Sequence, residues 1–267
     1  MHIFVLMKQV PGTSNVKMDE KTGTMIRTEH ENVMNPLDEN ALEEALKIKG
    51  SRDDVTVVGV SMGPPPAKKV LEEAVVMGAD SGALLSDRGF SGSDTLATAR
   101  PLARAIEVLR GGRLGADDLI LCGERATDGE TGQVGPMVSG LLGIPVATYV
   151  RSVCVGDGYV DVERVVEAGF ERVRLSLPAV LTVVKDINQP GFPTLAGKIA
   201  ARKVGIPVLT MEDLGLGADD TGLRGSPTRV VRVFRPKFAR DTVLYAQDNS
   251  GTATDRLLEF LNSRELI

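Results

Sequence analysis

A handful of short apolar runs limits what this chain can become. Ile3-Phe4-Val5-Leu6-Met7 and residues 54–60, 118–122 and 178–184 are largely apolar without alternation. A strand wet on one face alternates apolar and polar residues, whereas a strand covered on both faces reads as a continuous run, the mark of a buried parallel sheet. Residues 82–86 add a shorter strand of the same kind. Helix patterns lie between the runs. Asn35-Pro36-Leu37-Asp38 opens one in which Leu42, Ala45, Leu46 and Lys49 keep a three-and-four spacing, with Gly50 as the expected stop. A second, over residues 67–77, is expected to end at Gly78. Ser93 or Asp94 can cap a third, which continues to Leu109 past Pro101, where a kink is expected. A fourth begins at Val134. This alternation predicts an α/β fold, a doubly wound, mostly parallel sheet of the adenine-nucleotide-binding type, in which ligands lie outside the carboxyl ends of the strands where the strand order reverses.

Beyond residue 145 the grammar changes. Residues 146–155, 159–166 and 172–177, separated by Gly156-Asp157-Gly158 and Glu167-Ala168-Gly169, read as antiparallel strands extending the sheet. Near the start, residues 16–18 and 24–27, joined around Lys21-Thr22-Gly23, read as a short exposed hairpin. Residues 188–195 form a loop stiffened by Pro190 and Pro193 that exposes Leu195 beside Lys198, Arg202 and Lys203; a docking element and an ordinary surface loop are both open readings. Residues 214–227 read as a Gly- and Asp-rich linker, 229–234 alternate like an edge strand, and 254–266 place Leu257, Leu258 and Leu261 on one helical face. The expected organisation is a nucleotide-binding domain over residues 1–213, then a linker and C-terminal arm over 214–267, the arm being too small to fold alone.

Composition removes several function classes. A net charge of -5 and a pI near 5.3 argue against nucleic-acid or anionic-membrane surfaces. The two cysteines, Cys122 and Cys154, make neither a disulfide framework nor a metal set, and Cys122, ending a buried run, reads as a reduced core thiol. With only His2 and His30, neither placed for a triad, hydrolytic and zinc chemistry are poor fits, so the chemistry is expected to be borrowed from a cofactor. The first apolar run is too short for a signal sequence and no run approaches a membrane span, which leads to the expectation of a cytoplasmic protein.

The candidate site lies between the strand at 118–122 and the helix at 134. It is the turn-rich loop Gly123-Glu124-Arg125-Ala126-Thr127-Asp128-Gly129-Glu130-Thr131-Gly132-Gln133, leading into Val134. A strand that breaks through Gly into small and polar residues before a helix leaves free N–H groups at the positive end of the helix dipole, a cradle for phosphate. The loop has no Lys, and neither the Rossmann nor the P-loop fingerprint occurs. A plain strand-to-helix connection is the structural alternative. Three further segments should converge on it: residues 6–10, including Leu6; Asn35-Pro36-Leu37-Asp38; and Ser61-Met62-Gly63.

The stretch GERATDGETGQVGPMVSGLLGIP resembles the nucleotide-binding loop of the β subunit of electron transfer flavoproteins. Other segments from Lys8 to about Asp213 follow that family's order, including Asp87-Arg88-Gly89-Phe90-Ser91-Gly92-Ser93-Asp94-Thr95, from which Phe90, Asp94 and Thr95 join the candidate cofactor-binding residues; Phe90 as a buried anchor is an equal reading. The stretch AGFERVRLSLPAVLTV resembles the family signature, although that pattern has acidic residues near Gly169 and Phe170. The resemblance implies an electron-carrier subunit that pairs with an α subunit carrying another FAD and serves a flavin-dependent dehydrogenase such as an acyl-CoA dehydrogenase. It implies AMP in ordinary members and a second FAD in electron-bifurcating ones, where NADH is the donor and ferredoxin or flavodoxin the low-potential acceptor. The form Asp128-Gly129-Glu130-Thr131-Gly132-Gln133-Val134-Gly135-Pro136 is similar to the bifurcating version, with Gly132 in place of the usual Ala. Leu195 matches the family's dehydrogenase anchor, with Gly191 where a basic residue is common, and the tail matches the segment that embraces the α subunit. An alternative of another class is an ATP pyrophosphatase, since Ser91-Gly92-Ser93-Asp94 also resembles that phosphate loop.

Overall fold

The computed structural model describes residues 1–12, 17–18, 25–26, 32–231 and 252–267. In chain order, β1 (His2–Met7), β2 (Gln9–Pro11), β3 (Lys17–Met18), β4 (Met25–Ile26) and β5 (Asn32–Met34) precede α1 (Pro36–Ser51). Then come β6 (Thr56–Met62), α2 (Lys68–Met77), β7 (Ser81–Leu85), α3 (Thr95–Arg110), β8 (Leu119–Gly123) and α4 (Val134–Leu142). Next follow β9 (Val146–Val155), β10 (Tyr159–Val166), β11 (Gly169–Ser176), β12 (Ala179–Val183), α5 (Leu195–Ala201), β13 (Val208–Leu209), α6 (Gly222–Gly225) and α7 (Thr252–Ser263).

The main sheet has the order β11-β10-β9-β12-β8-β1-β6-β7-β13 among the described residues. It is parallel from β9 to β13, and β10 and β11 add antiparallel strands at one end. The continuous apolar runs have the predicted cause. Ile3, Val5 and Met7 pack with Leu42 and Ala45 of α1 and Leu71 of α2 on one face, while Phe4 and Leu6 pack with Leu102 and Ile106 of α3 and Val138 of α4 on the other. Each such fully buried large side chain stabilises the fold by roughly 1.5–3 kcal/mol relative to exposure.

The chain leaves β1 toward β6 and β7 on one side, then returns to β8 on the other, so the order reverses between β1 and β8. The small antiparallel ribbon of β2 and β5 brings the start of α1 back to the end of β1, where the Asn35 N–H donates to Lys8 O at 2.9 Å. The ribbon of β3 and β4 forms where the hairpin was expected, although its turn at 21–23 lies outside the described residues, as does His30.

Some local expectations are corrected. Helix α1 passes through Gly50, which takes no positive φ, and ends when the Arg52 N–H bonds Lys49 O. Of the expected edge strand at 229–234, residues 229–231 form no strand and the rest lie outside the described residues. Residues 214–227 are packed rather than linker-like. Leu214 is fully buried, Gly222 N donates to Ser93 Oγ at 3.0 Å, and Asp94 Oδ2 accepts from both the N–H (3.0 Å) and hydroxyl (2.8 Å) of Thr228. One compact unit therefore runs from Met1 to Val231, and Arg232–Ile267 forms a second. Within the second, α7 exposes Leu257, Leu258 and Phe260.

Candidate functional site

At the reversal point, short-range chemistry binds three loops into one body. Asn35, almost fully buried at the start of α1, donates its Nδ2 to Arg125 O at 3.0 Å and accepts the Thr127 N–H on Oδ1 at 3.2 Å. One turn on, Asp38 accepts the Lys8 N–H at 2.8 Å on Oδ2 and the Gly123 N–H at 2.9 Å on Oδ1. The Lys8 ammonium crosses the site to Asp128 Oδ1 at 2.7 Å, where the Asp128 side chain is only 5% exposed. The loops after β1 and β8 are thus both hung on the first turn of α1.

Glycine permits this approach. A Cβ on Gly123 would lie 2.6 Å from Leu37 Cβ and 2.7 Å from Asp38 Oδ1. On Gly135 it would lie 2.5 Å from Thr182 Cγ2 and 3.0 Å from Cys122 Sγ, so α4 can seat directly against β8 and β12. Gly132, at φ +65°, turns the loop into α4.

Burial pushes the Asp38 carboxyl up to about 7, against the downward pull of the Lys8 and Gly123 N–H groups, the Asn35 side chain and the Lys8 ammonium. Burial also raises Glu124, an effect that Arg125 opposes and Asp186 reinforces. The Cys122 thiol is pushed up by burial and by the Asp38 charge, so it remains a protonated core group.

What the site leaves unspent is a donor set. The N–H groups of Thr131, Gly132, Gln133, Val134 and Gly135 make no hydrogen bond among the described residues, and they run into the N-terminus of α4. By contrast, Gly123, Glu124, Thr127, Gly129 and Glu130 donate their N–H groups within the protein. A Cβ at Gly129 would meet no heavy atom within 4 Å, so that side of the loop is open. Unpaired N–H groups at a helix start, beside open space, fit a phosphate-bearing ligand.

The other sequence-picked residues are less concentrated. Pro36 is the first residue of α1 and exposed, while Leu37 is buried against Gly123. Leu6 lies in the core, and Met62 packs partly buried against the same cluster. Ser61 beside it is fully buried with an unpartnered hydroxyl. Phe90 belongs to that core too. Asp94 caps α3 through Leu96 and Ala97 N–H groups and clasps Thr228, and Thr95 is the first residue of α3. The Ser93 hydroxyl donates to Phe90 O and accepts from Gly222, so Ser93 and Asp94 of the loop matched to a pyrophosphatase spend their side chains on the fold. Lys8 was not picked as a site residue; the signal available for it was a lone cation at the carboxyl end of the first buried strand.

Away from the cradle, Leu195 opens α5 and is 75% exposed, beside Phe192 at 91% and the half-exposed Ile199, with Thr194 capping the helix through the Gly197 N–H. No helix of the described residues is long and apolar enough to cross a membrane.

Residues 22–214 match the family model described as the electron transfer flavoprotein domain. The chain is 43% identical over 272 residues to the electron transfer flavoprotein subunit beta of Megasphaera elsdenii, covering the whole of both chains. It is 43% identical over 236 residues to the caffeyl-CoA reductase-Etf complex subunit CarD of Acetobacterium woodii, covering 88% of each. It is 38% identical over 241 residues to the acryloyl-CoA reductase electron transfer subunit gamma of Anaerotignum propionicum, covering 88% of this chain and 89% of that one.

Proposed function

This chain belongs to the electron transfer flavoprotein family as a β subunit, and on that footing we propose that its cradle holds FAD by the pyrophosphate. The observation that carries this reading is the run of unpaired N–H groups from Thr131 to Gly135 at the start of α4, with open space beside Gly129. Bound FAD would supply electron storage and transfer. The chain's own residues orient it: Asn35 and Asp38 fix the loop, the free N–H groups meet the phosphate charge, and Lys8 with Asp128 closes the side facing β1.

The subunit then works with an α subunit carrying its own FAD. Electrons pass from NADH through this pair to a dehydrogenase and a low-potential acceptor such as ferredoxin or flavodoxin, by flavin-based bifurcation. The names of two relatives, each tied to a reductase of a CoA thioester, support an acyl-CoA dehydrogenase-type partner. The exposed Leu195 suits the docking contact.

The test is cofactor stoichiometry in the purified αβ complex. Two FAD per heterodimer is expected. One FAD with one AMP refutes FAD in the cradle while keeping it as a nucleotide site, and a β subunit without nucleotide refutes the reading altogether.

A further inference from the structure

We propose that Asp38 is the positioning residue for the loop that follows β8: its carboxylate ties the ends of β1 and β8 to the first turn of α1, and the loop holds an anionic nucleotide only while that carboxylate is ionised. The inference rests on the nucleotide reading of the same site. Its ground is geometric. The two oxygens of Asp38 are divided between two strand ends, Oδ2 taking the Lys8 N–H and Oδ1 the Gly123 N–H. Gly123 is the residue at which the loop departs, and its Cβ-free face lies against Leu37 and Asp38, so the loop's starting direction is set by this contact.

The network closes on itself. Lys8 O accepts the Asn35 N–H, the Asn35 side chain holds residues 125 and 127, and the Lys8 ammonium holds Asp128. Among the described residues, Asp38 is thus the side chain that accepts an N–H from each of the two strand ends, while the Asn35 side chain reaches only the loop beyond β8.

Protonation would break the symmetry. An ionised carboxylate accepts with both oxygens, and its hydrogen bonds are roughly twice as strong as neutral ones. A protonated acid presents one hydroxyl oxygen that accepts poorly, and the added proton finds two N–H donors rather than an acceptor. One strand end is then released. The charged group acting on Asp38 is the Lys8 ammonium, itself paired to Asp128, and the other titratable neighbour is the Cys122 thiol on β8, which stays neutral. On its own helix, Glu39 is raised by burial and then by the Glu73 charge, with no contribution from Asp38. Burial brings the Asp38 carboxyl to about 7, where modest acidification changes its charge. Because the ionised form is the competent one, affinity is full above that value and is lost as pH falls through it.

The experiment titrates the full-length chain with FAD, whose pyrophosphate keeps the same charge between about pH 6 and pH 8, and follows amide hydrogen exchange of residues 124–134 without nucleotide. For the wild type, Kd should rise about tenfold from pH 8 to pH 6, as a single titration near 7 requires, with loop exchange, corrected for intrinsic rates, rising in parallel. Asp38→Asn should bind FAD more than about tenfold more weakly at pH 8, with a flat pH profile and a loosened loop. Asn35→Ala, which leaves Asp38 in place but removes a side chain that pulls its carboxyl down, should weaken binding at every pH and keep a sloped profile, shifted to higher pH. A flat wild-type profile, or an Asp38→Asn chain that binds as tightly as wild type with unchanged exchange, overturns the proposal. Absence of FAD or AMP binding by the wild type at any pH would instead overturn the nucleotide reading beneath it.

Discussion

Two glycines six residues apart in the same loop should respond to substitution in opposite ways. At Gly129 an added Cβ meets nothing within 4 Å and the backbone is not left-handed, so Gly129→Ala should change stability by no more than about 0.5 kcal/mol. At Gly123 the same methyl would lie 2.6 Å from Leu37 Cβ, 2.7 Å from Asp38 Oδ1 and 2.9 Å from the Leu37 carbonyl carbon. Two of these are parts of a helix start that is itself tied to β1, so neither can swing aside. Overpacking of this kind costs about 1–3 kcal/mol, and weakening a hydrogen bond to a charged carboxylate adds about 1.5 kcal/mol or more. For a domain of this size that corresponds to a fall in Tm of roughly 5 to 15 °C. Ligand binding should separate the two differently. Gly129→Val fills the open side of the loop, so FAD affinity should fall at least about tenfold while Tm of the nucleotide-free chain holds. Thermal unfolding by circular dichroism and FAD titration on the same preparations decide it. Unchanged FAD affinity in Gly129→Val would show that the ligand does not use this space, and an unchanged Tm in Gly123→Ala would refute the tight junction between α1 and β8. Gly132→Val is a less clean probe, because φ +65° alone costs a β-branched residue on the order of 1–2 kcal/mol.

The exposed α5 surface and the C-terminal unit give two further expectations. Leu195→Ala should leave stability unchanged and weaken dehydrogenase binding roughly ten- to a hundredfold in a binding titration, and loss of fold instead would make Leu195 a packing residue. Removing residues 232–267 should leave the thermal transition of the Met1–Val231 unit intact and weaken association with the α subunit, because α7 exposes Leu257, Leu258 and Phe260; an unchanged heterodimer affinity counts against that role.

Periodicity and burial were legible in advance because they are local. Ile3-Phe4-Val5-Leu6-Met7 announces a strand with two apolar faces, and the faces were found. The Asn35-Pro36 start of α1 and the Gly78 end of α2, at φ +130°, were equally readable, since a cap or a positive-φ residue acts within one turn. What could not be read was how polar groups are shared between protein and ligand. Asp94 looked like a site residue, yet its oxygens serve α3 and Thr228, a partner 134 residues away. Asn35 and Asp38 were picked because they belong to the loops at the reversal point, and they do lie there, but their bonds run to Lys8, Gly123, Arg125 and Thr127. A polar side chain can be assigned to a ligand only after the backbone groups it satisfies have been subtracted, and those groups sit about 90 residues or more along the chain for every bond that Asn35 makes to the loop. After that subtraction the longest run of donors left at the cradle is the set of N–H groups from Thr131 to Gly135, which belong to the backbone and carry no side-chain signature. The same chemistry could be written with other residues there, provided that Gly132 can turn and Gly135 can seat α4 against Thr182, so the glycines rather than the acidic residues mark the end of this loop proposed to hold phosphate.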